Sequence, residues 1–354
     1  MTFSSLDGKR ILVTGAAGFI GGALVARLLG ELQRAQIVGF DSVNDYYSVA
    51  LKEYRLRRLA RIAERSQSTW RFVRGSLTDV AALARLFAEN DFHIVVHLAA
   101  QAGVRYSVER PDKYVESNLV GFCNLIEECR KRVERSQSLE RLIYASSSSV
   151  YGNSESTPFS TSARADEPVS FYAATKRANE LIAYSYGSLY GLTSIGLRFF
   201  TVYGPFGRPD MFYYSATENF VAGRPVSLYR GGACRRDFTY IDDAVEGIVR
   251  VMSRERYSRA SSIFNLGSGR SVTVKDFVST LRDALVESGV LARDFDLTAY
   301  VRSAPDVSGD VVTTLADVEP FEREFGFRPG VEVGDGLLRF ARWYREYKLE
   351  SSGR

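Results

Sequence analysis

The chain has 354 residues, 45% of them hydrophobic and 25% charged, which is the composition of an ordinary globular protein with a large core. Its formal net charge is only +4 and its basic residues are dispersed, so the charge pattern does not indicate a nucleic-acid-binding surface. The three cysteines lack metal-ligand spacing, no apolar run approaches ~18 residues, and no signal peptide precedes residue 10. We therefore expect no metal site, no membrane association and a cytoplasmic location.

Short apolar runs alternate with amphipathic segments over roughly residues 9–200. Amphipathic segments such as IGGALVARLLGELQ and VAALARLFAEN separate the apolar runs and predict helices. Six runs predict buried strands: RILVTGA, QIVGFDS, RFVRGS, HIVVHLA, RLIYASS and TSIGLRFF. Alternation at this spacing is typical of βαβ units, so we predict an α/β fold with a doubly wound parallel sheet of the Rossmann type.

The pattern changes after residue 200. The stretch TVYGPFGRPDM is rich in Gly and Pro and predicts a long functional loop, whereas SIFNLGSG resembles one more strand of the main sheet. We predict two domains. The larger Rossmann domain comprises residues 1–200 plus about 238–269, and a second, smaller α/β substrate domain comprises about 201–237 plus 270–350.

A glycine-rich turn follows the first predicted strand. Gly15 permits a tight turn, Gly18 lets a pyrophosphate approach the backbone, and Gly21 lets helix and strand pack closely. Asp41 lies 20 residues after Gly21, at the end of the second strand, where a carboxylate can bind both ribose hydroxyls of an adenosine. A carboxylate there would repel a 2′-phosphate, so we expect NAD rather than NADP.

The spacing Gly-x-x-Gly-x-x-Gly resembles the short-chain dehydrogenase/reductase superfamily, as do HLAAQAG, SNLVG and YAATK (Tyr172–Lys176). Ser76 departs from the pattern, because relatives usually carry an acid there to bind the adenine amino group. The resemblance implies NAD contacts from these residues: Gly15, Ala17, Gly18, Phe19, Ile20, Gly21, Asp41, Asn44, Ser76, Leu77, Leu98, Ala99, Ala100, Asn118, Tyr172, Lys176 and Phe200.

Tyr172 and Lys176 are four residues apart, which places them on one face of a helix. A tyrosine with its ordinary pKa near ~10 is a poor base at neutral pH. A neighbouring ammonium and a positive nicotinamide would lower that pKa, so Tyr172 could accept the proton of a substrate hydroxyl. The motif alone is common in helices. The superfamily resemblance implies a third catalytic residue, Ser147, which lies 25 residues before Tyr172.

Ser147 belongs to the run YASSSSVYG, which ends the fifth predicted strand. Sugar-nucleotide 4,6-dehydratases that resemble this chain carry Asp-Glu at the positions of Ser148 and Ser149, and decarboxylating relatives carry a Glu. Neutral hydroxyls could instead donate hydrogen bonds to a carboxylate at C6 of a sugar. The alternative is that these serines only cap backbone groups at the strand end.

Six longer stretches are similar to the UDP-glucuronate 4-epimerases: GFDSVNDYYSVALKEYRLRRL, HLAAQAGVRYSVERPDKYVESNLVGF, YASSSSVYG, VSFYAATKRANELIAYSYGSLYGL, LRFFTVYGPFGRPDM and RRDFTYIDDAVEGI. The resemblance covers most of residues 10–250 and is weaker beyond 270, where Val307-Ser308 replaces a usual Gln-Pro pair. It implies reversible C4 epimerisation of UDP-glucuronate to UDP-galacturonate through a transient 4-keto intermediate, with tightly bound NAD, in a homodimer. The dimer would form through the long helices around residues 111–132 and 171–191; burial of their apolar stripes within one chain is the alternative.

The same resemblance implies the substrate contacts. Arg236 matches a diphosphate clamp, and Thr201 stands where galactose epimerases carry Asn. Arg105 could assist the carboxylate or pair with Glu109, four residues on. The full set of expected substrate-binding residues is Arg105, Ser147, Ser148, Ser149, Tyr172, Thr201, Gly207, Arg208, Asp210, Arg236 and Asp310.

Other functions remain open at this point. A UDP-glucose or UDP-N-acetylhexosamine 4-epimerase would share the same catalytic residues, and a UDP-glucuronate decarboxylase would share the substrate. A non-catalytic NAD-binding regulator would tolerate loss of Tyr172. A C5 epimerase would need a base near C5, for which the sequence offers no candidate.

Overall fold

The structure is a computed structural model that describes residues 3–136, 138–154, 156–305 and 311–351. Its strands are β1 (Arg10–Thr14), β2 (Gln36–Asp41), β3 (Thr69–Arg74), β4 (Ile94–His97), β5 (Arg141–Ser147), β6 (Ser194–Phe199), β7 (Thr201–Tyr203), β8 (Val226–Tyr229), β9 (Arg235–Tyr240), β10 (Ser261–Leu266), β11 (Ser271–Thr273) and β12 (Val301–Ala304). Its α-helices are α1 (Phe19–Glu31), α2 (Val49–Ala63), α3 (Val80–Glu89), α4 (Tyr106–Glu109), α5 (Pro111–Tyr114), α6 (Gly121–Ser136), α7 (Phe171–Tyr190), α8 (Phe212–Val221), α9 (Ile241–Ser253), α10 (Val274–Glu287), α11 (Leu297–Tyr300), α12 (Glu319–Phe325) and α13 (Val333–Ser351).

A parallel sheet of seven strands forms the centre of the fold, in the order β10-β6-β5-β4-β1-β2-β3. The predicted α/β fold with a doubly wound parallel sheet is confirmed, and β10 is the additional strand that SIFNLGSG predicted. The strand order reverses between β1 and β4. Ligands of such sheets bind beyond the carboxyl ends of the strands at this reversal, which places the glycine-rich turn after β1 at that crevice.

Successive residues of β1 pack on opposite faces of the sheet. Ile11 and Val13 belong to one apolar cluster, together with α1 and α9, whereas Leu12 belongs to a second cluster with residues of α3 and α6. Helices therefore cover both faces of the sheet, and the strands β1, β4 and β6 are buried along all or nearly all of their length. All six residues of β6 are buried.

Two small sheets lie outside the main one, β11-β9-β7 and β12-β8. Because β7 begins at Thr201, the stretch TVYGPFGRPDM is a short strand followed by a loop, not a loop throughout. Asp237 in β9 is fully buried and accepts hydrogen bonds from the amides of Ser268, Gly269 and Ala316. This carboxylate ties the segment after β10 to the chain near residue 316. The two-domain boundaries stay a prediction.

Within the described ranges, none of the helices combines the length and the apolarity that crossing a bilayer requires.

Candidate active site

The glycine-rich turn adopts the geometry that its sequence predicts. Gly15 has a φ of +75°, and a Cβ there would lie 2.7 Å from the amide nitrogen of Ala99. A Cβ on Gly21 would lie 2.2 Å from the carbonyl oxygen of Gly15, so neither position accepts a side chain. Gly18 is the N-cap of α1 and offers no side-chain acceptor to the first helical amides. These amides suit a phosphate group.

Asp41 ends β2 beside this turn. Its carboxylate accepts hydrogen bonds from the amides of Ala17 (3.1 Å) and Val43 (2.7 Å). Burial raises the pKa of Asp41, while these amides and the charges of Lys52 and Arg55 oppose that rise. Neither cation was predicted, because both belong to α2 and reach Asp41 only through the packing of that helix. Lys52 donates to the carbonyl and side-chain oxygens of Asn44, which brings Asn44 into the same cluster.

The remaining residues expected around the cofactor lie near the carboxyl ends of the central strands. The amides of Leu98 and Ala99 follow β4 and donate to Thr14 at the end of β1. Leu77 is buried against Gly121, and Ser76 forms a hydrogen bond with Thr78 on the surface. The others are placed by their elements: Phe19 and Ile20 begin α1, Ala100 follows Ala99, and Phe200 is buried directly after β6.

Asn118 connects the loop after β4 to the helix that carries Tyr172. It lies in a π-helical turn, Val115–Val120, and its side-chain amide exchanges two hydrogen bonds with the backbone of Gln101. The same amide donates to Thr175 Oγ1, and the Asn118 carbonyl accepts from Asn179. Both partners are in α7. Asn118 therefore fixes α7 against the loop that follows β4.

Ser147, Tyr172 and Lys176 come together although they belong to different elements. Ser147 ends β5, and Tyr172 is in the first turn of α7, where Ser170 caps the helix. The Ser147 hydroxyl lies close enough to the Tyr172 phenol to lower its pKa. The Lys176 ammonium donates to the carbonyl of Ala145 (2.9 Å) and lies 6.0 Å from the centre of the Tyr172 ring. This arrangement holds a phenol, a hydroxyl and an ammonium at one strand end.

The pKa of Tyr172 is raised above its ordinary value, whereas the sequence predicted a lowered pKa. Burial raises it, whereas the hydrogen bond from Ser147 and the positive charge of Arg208 lower it. The ammonium of Lys176 is engaged by the Ala145 carbonyl, and burial lowers the pKa of Lys176 to about 8 against the opposing charge of Glu180. The protein groups that favour the phenolate are therefore Ser147 and Arg208, whereas the sequence pointed to Lys176.

The hydrogen-bond directions in the serine run assign separate roles to its members. Ser147 Oγ accepts from the amide (3.2 Å) and from the hydroxyl (2.9 Å) of Ser149. A hydroxyl has two acceptor sites and one proton, so the Ser147 proton is directed to Tyr172. Ser149 uses its only proton on Ser147, contrary to the expectation that it donates to a carboxylate. None of the described residues hydrogen-bonds to the Ser148 side chain, which stays available.

Ser146 points to the opposite side of β5 and enters a buried ionic network. It donates to Glu180 Oε1 (2.6 Å), and Arg198 donates to both Glu180 oxygens at 2.8 Å. Glu180 and Arg198 are 1% and 2% exposed. The Arg198 guanidinium also lies over the Tyr151 ring, 4.6 Å from its centre. Sequence reasoning missed this network. The one feature of the sequence that could have indicated this network is the position of Glu180, one helical turn after Lys176.

The loop after β7 reaches the crevice. Arg208 donates to Asp210 (3.0 Å) and to the carbonyl of Ala102 (3.4 Å), and Tyr46 donates to Asp210 (3.1 Å). A Cβ on Gly207 would lie 1.8 Å from the hydroxyl of Tyr213, so only glycine fits there. Arg208 and Asp210 therefore face the loop after β4 from across the crevice, while Thr201 is half-buried at the start of β7.

Two expected substrate residues, Arg105 and Arg236, lie at the edge of the site, and a third cannot be placed. The guanidinium of Arg105 lies over the ring of Tyr229, 5.1 Å from its centre, and among the described residues no ion pair joins Arg105 to Glu109. Arg236 donates to the carbonyls of Arg235 and Val312 on β9's exposed side. Asp310, with Val307 and Ser308, falls outside the described residues.

Comparison with known proteins agrees with this geometry. The model of the family "NAD dependent epimerase/dehydratase family" matches residues 11–267. The chain is 41% identical to protein CapI of Staphylococcus aureus (96% of this chain, 99% of the relative) and 41% identical to UDP-glucuronate 4-epimerase 2 of Arabidopsis thaliana (96% and 77%). It is 40% identical to a probable UDP-glucuronate 4-epimerase of Rhizobium meliloti strain 1021 (95% and 96%).

Two solved structures are similar over nearly their whole length. The UDP-glucuronic acid 4-epimerase from Bacillus cereus, in complex with UDP-glucuronic acid and NAD, has a TM-score of 0.82 at 29% identity, covering 96% of this chain and 99% of that one. DesIV, a dTDP-glucose 4,6-dehydratase from Streptomyces venezuelae with NAD bound, also has a TM-score of 0.82 at 29% identity, covering 96% and 98%.

Proposed function

Because this chain belongs to the NAD dependent epimerase/dehydratase family, we propose that it interconverts UDP-glucuronate and UDP-galacturonate by reversible epimerisation at C4 of the sugar. One observation carries the proposal: Ser147 and Tyr172 come together at a strand end, and the two residues after Ser147 carry hydroxyls instead of carboxylates. A dehydration would need an acid and a base at those positions, and Ser148 and Ser149 supply neither. The site is therefore suited to oxidise and reduce one carbon without eliminating water.

The cofactor crevice fits NAD. Gly15 and Gly21 leave no room for side chains, α1 presents uncapped amides to a diphosphate, and Asp41 presents a carboxylate to an adenosine ribose. The Asp41 charge disfavours a 2′-phosphate. When bound, NAD supplies the chemistry of accepting and returning the hydrogen of C4 as hydride.

Tyr172 acts as the base. In the forward direction the C4 hydroxyl loses its proton to the Tyr172 oxygen, and C4 becomes a ketone as its hydrogen leaves with the bonding electron pair. Ser147 directs its proton to the Tyr172 oxygen, and Arg208 adds positive charge, so both stabilise the phenolate that must form first. The reverse transfers occur on the opposite face of a turned sugar, and Tyr172 returns the proton to the C4 oxygen.

Ser148 and Thr201 hold the C6 carboxylate of the substrate. A 4-keto uronic acid is a β-keto acid and loses carbon dioxide readily when the bond to its carboxylate aligns with the carbonyl π orbital. Hydroxyl donors at fixed positions can keep that bond near the carbonyl plane. The Ser148 hydroxyl suits this role because none of the described residues takes its proton. Ser149 contributes through Ser147.

The sugar nucleotide binds between the two predicted domains, residues 1–200 plus about 238–269 and about 201–237 plus 270–350. Arg236 binds the diphosphate through its planar guanidinium, and the loop with Gly207, Arg208 and Asp210 closes over the nucleotide. Asp310 binds the uridine side. Arg105, whose guanidinium lies over the Tyr229 ring, binds an anionic group of the substrate.

The protein functions as a homodimer in the cytoplasm. Helices α6 and α7 pack side by side, and α7 exposes Leu181 (55%) and Tyr184 (67%) on one face. Their exposure excludes burial within one chain at these positions, and an exposed apolar pair on a long helix favours a partner. Sedimentation equilibrium should give twice the chain mass for the protein and the single chain mass for Tyr184→Glu. A wild-type chain of single mass would refute the dimer.

Substrate choice is tested by comparing initial rates. The purified protein is incubated with UDP-glucuronate, UDP-glucose or UDP-N-acetylglucosamine. The products are separated, and their masses are measured by mass spectrometry. We expect the fastest conversion with UDP-glucuronate and a product of unchanged mass. Faster conversion of a neutral sugar would identify a hexose or hexosamine epimerase, and a product lighter by carbon dioxide would identify a decarboxylase.

A further inference from the structure

Arg55 is a buried cation whose charge acts on Asp41, but among the described residues it makes no direct ion pair with a carboxylate. It lies on the inner face of α2 and is 3% exposed. Its guanidinium makes five hydrogen bonds, all to neutral oxygens: two to the carbonyl of Phe206, one each to the carbonyls of Gly207 and Ala17, and one to the hydroxyl of Tyr47. A guanidinium has five N–H donors, so every donor is used. Burying a charged guanidinium costs solvation free energy, so these hydrogen bonds are needed to offset that cost.

The acceptors of Arg55 belong to two segments that are far apart in sequence. Ala17 is in the glycine-rich turn, and its amide donates to the Asp41 carboxylate while its carbonyl accepts from Arg55 at 3.0 Å. Phe206 and Gly207 are in the loop that also carries Arg208. One arginine therefore fastens the turn that receives the cofactor to the loop that covers the sugar nucleotide.

The loop side of this connection is strained. Phe206 has a φ of +60°, which is unfavourable for a residue with a side chain. Its carbonyl receives two of the five Arg55 hydrogen bonds, at 3.0 and 2.7 Å, and the guanidinium of Arg58 lies 4.5 Å from the centre of its ring. The loop conformation thus depends on α2, because without these contacts the strain would favour another backbone arrangement.

We propose that Arg55 is a positioning residue that couples cofactor binding to sugar-nucleotide binding, an inference that rests on the proposed NAD and UDP-sugar sites. NAD that binds Asp41 and the glycine-rich turn fixes Ala17, and Arg55 then holds Phe206 and Gly207 in the conformation that places Arg208. By linkage, a nucleotide that fixes the loop must tighten NAD to the same degree. Lysine cannot replace Arg55, because one ammonium has three donors and cannot span both segments.

The test measures binding, not turnover. NAD affinity is determined by calorimetry on cofactor-stripped protein, with and without saturating UDP, for the wild type, Arg55→Lys and Arg57→Lys. Arg57 is exposed two residues further along the same helix and is the matched control. UDP should tighten NAD by at least about fivefold in the wild type and in Arg57→Lys, and by less than about twofold in Arg55→Lys.

A second variant covers the case in which Arg55→Lys fails to fold. Tyr47→Phe removes one of the five acceptors and leaves the charge in place, and it should give an intermediate ratio. The proposal is overturned if UDP has no effect on wild-type NAD affinity, if Arg55→Lys keeps the full ratio, or if both arginine variants lose it equally. A protein with normal coupling that fails to convert UDP-glucuronate would refute the proposed function and leave this inference intact.

Discussion

The Ser149 hydroxyl donates a hydrogen bond to Ser147 Oγ over 2.9 Å, and the Ser149 amide donates a second bond to the same oxygen over 3.2 Å. These two bonds occupy the acceptor sites of Ser147 and leave its proton for Tyr172. The direction of the Ser147 hydroxyl is thus set by Ser149, which lies in the 3-10 turn Ser148–Tyr151 that Ser147 caps.

Removal of the Ser149 hydroxyl should therefore lower kcat more than it raises KM. Ser149→Ala frees one acceptor site of Ser147, whose proton can then turn away from Tyr172, and we expect kcat to fall by about tenfold, the value of one hydrogen bond. Ser149→Thr keeps the hydroxyl and should retain most of the rate. Steady-state kinetics distinguish this role from a carboxylate contact, which would raise KM for UDP-glucuronate in Ser149→Ala with kcat unchanged.

Loss of the Ser148 and Thr201 hydroxyls, which we propose to hold the substrate carboxylate, should change the product. The variants are Ser148→Ala and Thr201→Val, alone and combined, and the reaction mixture is analysed for UDP-pentose by mass spectrometry. Because a freely rotating carboxylate can align with the carbonyl π orbital of the 4-keto sugar, a pentose product should appear, most strongly in the double variant. If 4-epimer formation falls and no pentose appears, control of carboxylate orientation is not the role of these residues.

The buried ion pair between Glu180 in α7 and Arg198 in β6 should contribute strongly to the free energy of unfolding. Glu180→Gln leaves the Arg198 guanidinium buried without its carboxylate, and we expect the free energy of unfolding to fall by about 3–5 kcal/mol in denaturant titrations. Glu134, on the surface of α6, pairs with Arg130 and provides the control. Glu134→Gln should cost no more than ~1 kcal/mol. Equal losses in the two variants would contradict the assigned importance of the buried pair.

Acid should destabilise the protein through His97. Burial and the charge of Lys176 lower the pKa of His97 from its ordinary 6.5 to about 3. The unfolded chain therefore binds more protons than the folded chain between these values, so the free energy of unfolding falls as pH drops from about 6.5 towards 3. The difference in stability between the wild type and His97→Gln should shrink over that range. A difference that stays constant with pH would show that His97 titrates normally.

The sheet could be predicted because most of its strands are short apolar runs that can be recognised in the sequence without knowledge of the fold. Runs such as RLIYASS and TSIGLRFF are rich in apolar residues, and strands buried on both faces require such a composition. The short strand Thr201–Tyr203 lacked such a signal, because Gly204 and Pro205 follow it at once and indicate a loop. The glycine-rich turn was equally clear, since its steric demands admit only glycine at Gly15 and Gly21.

The electrostatics of the site could not be predicted in the same way. The cations beside Asp41 come from α2, and the partner of Arg198 comes from α7, so each pair depends on how helices dock on the sheet. The direction of the Ser149 proton depends on the geometry of a single turn. Sequence spacing placed Tyr172 and Lys176 on one helical face, but it could not show that the Ala145 carbonyl engages the ammonium.

The most direct test of the reaction is incubation of the purified protein with UDP-glucuronate and no added NAD, followed by chromatographic separation of the products. Because the cofactor is regenerated in each turnover and stays bound, UDP-galacturonate should accumulate to an equilibrium mixture, and the same mixture should form from UDP-galacturonate. Tyr172→Phe should lower the rate by at least ~10²-fold, whereas Tyr300→Phe, in α11 and outside every predicted contact, should not. Absence of any 4-epimer, or full activity of Tyr172→Phe, would contradict the proposed chemistry.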